Sequence, residues 1–114
     1  MILAVAILTT TASWTHVAVR VPEWGPMNMP CERWLVVRQR HSSEEKSAEN
    51  WVLGYVTSYN WHVVKLPPYF GAGLSQEQVL RLVDSGCRRY RMDQLGDIAH
   101  QVIDDFEYAR ENPN

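Results

Sequence analysis

Beyond position 30, apolar residues recur at intervals of three and four, the rhythm of helices that bury one face. The first predicted helix opens at Pro30 or Cys31 and runs to about Gln39. Proline suits a first helical turn, and Glu32 near the start complements the helix dipole. Cys31, Trp34 and Leu35 share its inner face, while Arg38, Arg40 and His41 are expected to end it in solvent. The second helix starts at Ser42, which stands at capping-box spacing from Glu45. Ala48, Trp51, Val52, Tyr55, Val56, Tyr59 and Val63 carry its apolar rhythm, and Pro67-Pro68 stop it. Residues 51–66 are also rich in aromatic and β-branched side chains, which would suit a strand. The three-and-four spacing favours helix over residues 42–66. Gly54 interrupts that helix at a cost of up to ~1 kcal/mol, so a close backbone approach is expected there.

The third helix has Ser75 as its N-cap, Gln78 completing a capping box, and Leu74 placed to staple onto Val79. Leu80, Val83 and Cys87 form its stripe, broadened by Val79 and Leu82. Gly86 predicts close packing beside the cysteine. The helix ends within positions 88–91. A fourth helix carries Leu95, Ile98, Ala99, Val102, Phe106 and Ala109 on one face and most of its acids on the other, ending at Asn112-Pro113. The expected fold class is all-α: a four-helix domain over residues 26–114, preceded by a separate segment over residues 1–25.

The length of 114 residues suits one domain, and 46% hydrophobic residues supply a core. The formal net charge of −2 excludes the basic stripe of a general nucleic-acid binder. Six acids and one arginine fall in residues 93–114, directly after Arg81, Arg88, Arg89 and Arg91. A solvated helix face beside a basic turn accounts for that. The apolar run at residues 2–8, followed by small and hydroxyl residues, looks like the apolar and cleavage regions of a signal peptide, with cleavage after Ala12. No Lys or Arg precedes the run, so either the true start lies upstream or the run is an N-terminal strand or buried arm. It is too short to span a bilayer, which takes about 20 apolar residues. Residues 16–21 alternate like a short extended segment, and Pro22, Gly25, Pro26 and Pro30 exclude regular structure up to Cys31.

Cys31 and Cys87 permit one intramolecular bridge. In an exported protein an even count favours that bridge, worth ~4 kcal/mol across so long a loop. In a cytosolic protein they would be two buried thiols. The four histidines are scattered and none stands at ligand spacing from a cysteine, so neither a metal nor a cofactor is expected. Gly71-Ala72-Gly73 lacks the lysine and strand of a phosphate loop. Asp104 and Asp105 are adjacent and point apart on a helix. Asp97 and His100 are three apart, with no nucleophile beside them, and read as a surface pair. Catalysis is not expected. Trp51, Tyr55 and Tyr59, at helical spacing, are either core or a protein-binding surface.

The order Cys31-Glu-x-Trp-Leu, then Trp51-Val-Leu-Gly-Tyr-Val-Thr-Ser-Tyr-Asn, then a helix ending Val83-Asp-x-x-Cys87, then Leu95 through Phe106, resembles the small HdeA-like periplasmic proteins of Gram-negative bacteria. The resemblance covers residues 31–106. It implies a helical periplasmic protein with Cys31 bonded to Cys87, in a family that includes acid-stress chaperones. The Gly54-Tyr-Val pattern, with a Ser-capped helix and an amphipathic last helix, is also similar to periplasmic immunity proteins that block type VI amidase effectors. Both resemblances imply a non-enzymatic protein that works through protein surfaces. The partner is a range of unfolded clients in one case and a cognate effector in the other, and either admits a homodimer. For the chaperone, acid is expected to leave about 15 positive charges once carboxylates are neutral near pH 2. Self-repulsion and the loss of any ion pairs between the last helix and Arg88, Arg89 and Arg91 would then expose apolar surface.

Overall fold

A computed structural model describes residues 4–6 and 24–113. The signal-like run and the extended stretch at 16–21 lie outside the described residues, apart from positions 4–6, which are exposed and irregular. The described residues form four α-helices and no strand: α1 (Cys31–Val37), α2 (Ser43–Tyr59), α3 (Gln76–Arg89) and α4 (Leu95–Glu111). A 3-10 turn, Pro26–Asn28, precedes α1, and a turn of π-helix, Asn60–Val64, continues α2.

Local chemistry sets most of these boundaries. Ser75 accepts from Gln78 N at 3.1 Å, and the Gln78 side chain accepts from Ser75 N at 2.8 Å, so the α3 capping box is complete. At α2 only half of the expected box forms. Ser42 accepts from Glu45 N at 3.3 Å, but the Glu45 carboxylate turns towards Arg38 and His41 instead. The helical path of α2 reaches Val64, close to the predicted end. Its last turn widens so that Lys65 N donates to Asn60 O at 2.9 Å, and Lys65 leaves the helix at φ 63°. Just before α1 and α4, Cys31 N donates to Asp93 O (2.9 Å) and Leu95 N to Met29 O (2.7 Å). This backbone pair sets the starts of the two helices side by side.

All four helices feed one core of Cys31, Trp34, Ala48, Val52, Leu80, Val83, Cys87, Leu95 and Ile98. The Gly86 expectation is met, since a Cβ there would lie 2.6 Å from Ile98 Cγ2. Gly54 departs from expectation, with nothing within 4 Å of its Cβ position. The inner stripe of α2 is Glu45, Ala48 and Val52, so Trp51, Tyr55 and Val56 flank the core and are only half-buried. Val63, within the widened turn, is exposed. On α4 the buried set is Leu95, Ile98, Ala99 and Ile103, whereas Ala109 is exposed.

Candidate functional site

Cys31 at the start of α1 and Cys87 near the end of α3 are disulfide-bonded, with their Cα atoms 4.9 Å apart and both residues fully buried. The bridge closes a separation of 56 residues and fixes α1 along α3. One helical turn from each cysteine stand Trp34 and Val83, and beyond them a buried charge junction.

The centre of that junction is Arg38. Its guanidinium Nε donates to Asp84 Oδ1 at 3.0 Å and Nη2 to Asp84 Oδ2 at 3.0 Å, a bidentate pair. Nη1 reaches Glu49 at 2.5 Å and Nη2 reaches Glu77 at 2.7 Å, with Glu45 4.0 Å away. The Trp34 indole donates to Asp84 Oδ1 at 2.7 Å, and the guanidinium carbon lies 5.6 Å from the Trp34 ring centroid. The Arg38 and Asp84 side chains are 11% and 9% exposed, so this is an interior contact joining α1, α2 and α3. Arg38 therefore does not end α1 in solvent as its position suggests. The stem folds back because an acid, Asp84, sits within the buried stripe of α3 and needs a partner.

Four carboxylates gather around one guanidinium. Its bonds to Asp84 hold Arg38 firmly protonated against the opposing effect of burial. Burial pushes the Glu49 carboxyl above its ordinary range, against the pull of Arg38, and neighbouring Glu45 adds to the rise. Glu77, largely in solvent, is held below the ordinary range by its bond to Arg38. The junction opens onto a groove lined by these acids, His41, Arg88 and Arg91.

Trp51, Tyr55 and Tyr59 lie along one edge of α2, the two tyrosines meeting α4 and Trp51 meeting Gly25. Trp51 and Tyr55 stack with centroids 5.5 Å apart, and Gly25 lies against the indole. The Tyr55 hydroxyl meets His100 Nδ1 at 3.1 Å, and His100 Nε2 lies 3.4 Å from Asp104. Tyr59 donates to Glu107, which also pairs with Arg110 at 2.9 Å. Burial pushes the Tyr59 phenol up to about 12, helped by Glu107, and burial also raises Tyr55. Both tyrosines thus act as neutral donors or acceptors in a helix–helix seam. Asp97 does not join His100; it accepts from Gln94 N at 3.4 Å. Among the described residues, no salt bridge links α4 to Arg88, Arg89 or Arg91, so acid has no ion pairs to break there.

A second feature lies beyond α2. The Asn60 side-chain amide donates to Phe70 O at 3.0 Å and its carbonyl accepts from Phe70 N at 2.9 Å. Phe70 is buried and meets Phe106 edge-on at 5.1 Å. Residues 60–70 thereby form a hook closed at its base, on which Trp61, Val63 and Leu66 are exposed at 75%, 63% and 73%. Sequence reading missed both the junction and the hook. Two signals were available: an acid within an apolar stripe (Asp84 between Leu80 and Cys87), and a run from Asn50 to Gln76 with Lys65 as its one Asp, Glu, Lys or Arg.

No helix among the described residues is long and apolar enough to cross a membrane. No family model, curated protein or solved structure matches the chain.

Proposed function

We propose that this chain is a non-enzymatic, exported helical protein that acts by binding other proteins, as an HdeA-like acid-stress chaperone of the periplasm. The observation that carries the proposal is the Arg38 junction beside the Cys31–Cys87 bridge. At neutral pH, Asp84, Glu49 and Glu77 hold α1, α2 and α3 around one cation. Strong acid neutralises those carboxylates and leaves Arg38 buried without a counter-charge, a costly state that favours opening. The same acid leaves the whole chain strongly positive, which also opposes compactness. The disulfide survives acid and keeps α1 tied to α3, so the chain loosens without losing its connectivity. The apolar faces around Trp34, Val52, Leu80 and Val83 then become available to unfolded clients.

A buried disulfide also supports export, because such bonds persist mainly in oxidising compartments. The test is client aggregation in acid. The chain should suppress aggregation of an unrelated acid-denatured protein and bind a hydrophobic dye below about pH 3, while doing neither at neutral pH. Unchanged client aggregation defeats the chaperone proposal. Tight binding to one amidase effector at neutral pH would instead support an immunity function.

A further inference from the structure

The 60–70 hook stands apart from the acid-sensitive junction, and its chemistry is different. Its base is a built feature: Asn60 commits both ends of its amide to the backbone of Phe70, and Phe70 is anchored on Phe106. Within the hook, Lys65 N donates to Asn60 O, Leu66 N to Val64 O at 2.7 Å, and the Tyr69 hydroxyl to Lys65 O at 3.2 Å. Apolar side chains are therefore displayed from a frame whose own polar groups are largely paired. Trp61 and Lys65 flank a shallow open groove with Tyr69 and Phe70, while Val63 and Leu66 lie exposed outside it.

We propose that this hook is a contact for a lipid surface bearing anionic headgroups. Projecting Trp and Leu side chains suit shallow insertion, because a bilayer adapts to a protrusion where a protein partner would need matching cavities. Trp and Tyr favour the headgroup level, and a lysine beside them meets lipid phosphates. Charge complementarity points the same way. None of the chain's 13 acids lies between Asn50 and Gln76, so Lys65 is the one Asp, Glu, Lys or Arg of the hook itself. On the α4 side of its base stands Asp105, which accepts from Gln101 at 3.0 Å. Glu107, which takes the Tyr59 hydroxyl one turn earlier, is already paired with Arg110. The contact is peripheral and does not depend on the chaperone proposal.

The test is co-sedimentation of the full chain at neutral pH with mixed phosphatidylglycerol–phosphatidylcholine vesicles and with pure phosphatidylcholine vesicles. The protein should pellet with the mixed vesicles and more weakly with the neutral ones. Removing two inserted side chains in the double variant W61A/L66A should lower partition by about tenfold or more. Lys65→Glu should weaken binding to the mixed vesicles by roughly fivefold and leave neutral vesicles little changed. Trp61→Phe should keep most of the binding. These positions are exposed, so helicity and the disulfide should be unaltered in every variant, and circular dichroism checks this. Absence of vesicle binding overturns the proposal. So does binding that W61A/L66A leaves unchanged, which would place the contact elsewhere in the chain. Loss of a captured protein partner without any vesicle binding would make the hook a protein-docking surface instead.

Discussion

The indole N–H of Trp34 donates to Asp84 Oδ1 at 2.7 Å, and the same carboxylate takes two nitrogens of Arg38. A tryptophan of α1 and an arginine one turn later thus share one acid of α3. Asp84→Ala strands the Trp34 indole N–H and the Arg38 Nε in the interior, although Glu49 and Glu77 still face the guanidinium, and a loss of about 3–5 kcal/mol is expected in urea unfolding at neutral pH. Asp84→Asn keeps an acceptor for the indole and should cost less. A loss below about 1 kcal/mol for Asp84→Ala would mean that the junction does not hold the helices together.

The pH dependence follows from opposite shifts within the junction. Glu77 is depressed by Arg38, so its contribution is present above the ordinary carboxylate range and is lost as pH falls through its lowered value. Glu49 is raised by burial, so the fold gains from this group as pH falls through its raised value. Stability should therefore hold or rise slightly on mild acidification and then fall steeply in stronger acid. In Arg38→Met the carboxylates repel one another with no cation between them. That variant should be weaker at neutral pH by about 3–5 kcal/mol, with the gap narrowing as the acids protonate. Melting temperature followed from neutral pH to about pH 3 distinguishes the two profiles.

Two glycines in helices should respond with opposite signs. Gly86→Ala places a methyl 2.6 Å from Ile98 Cγ2 and should cost about 1–3 kcal/mol despite the better helix former. Gly54→Ala meets nothing within 4 Å and should stabilise by up to ~1 kcal/mol. Chemical denaturation of the two single variants checks the contrast, and equal effects would contradict the packing described.

Trp34 and Trp51 should also differ. Trp34 is fully buried and hydrogen-bonded, so Trp34→Ala is expected to cost about 3–5 kcal/mol or more. Trp51 is half-buried against Tyr55 and Gly25, and Trp51→Ala should cost less than about 3 kcal/mol. Unfolding curves in which Trp51 proves the costlier of the two would relocate the core.

The helices were legible because their signals are local. The Ser75–Gln78 cap, the Leu80–Val83–Cys87 stripe and the stop at Asn112-Pro113 each act within a turn or two, and α3 and α4 fall close to where those residues place them. The disulfide was legible from the cysteine count and the positions of the two helix ends. What stayed hidden depends on contacts far apart in sequence. Arg38 looks like a terminal, solvated cation until α3 brings Asp84 across 46 residues. Asn60 looks like another position of α2 until its amide finds the backbone of Phe70. Gly54 was misread because a glycine in a helix signals a close neighbour only when one is there, and the exposed side of α2 has none. The breadth of the α2 apolar stripe concealed which residues were central, and Glu45, a charge, took a place that the apolar pattern gave to no acid.

The most direct test of the proposed function is protection of an aggregating client near pH 2.5 by the oxidised chain, set beside the same chain with Cys31 and Cys87 both changed to serine. On that proposal the junction opens in acid in both, and only the oxidised chain keeps α1 bound to α3, a constraint worth about 4 kcal/mol against full unfolding. The oxidised chain is expected to suppress client light scattering in proportion to its concentration, and the serine variant to do so less well. Equal scattering with and without the oxidised chain would contradict the proposal.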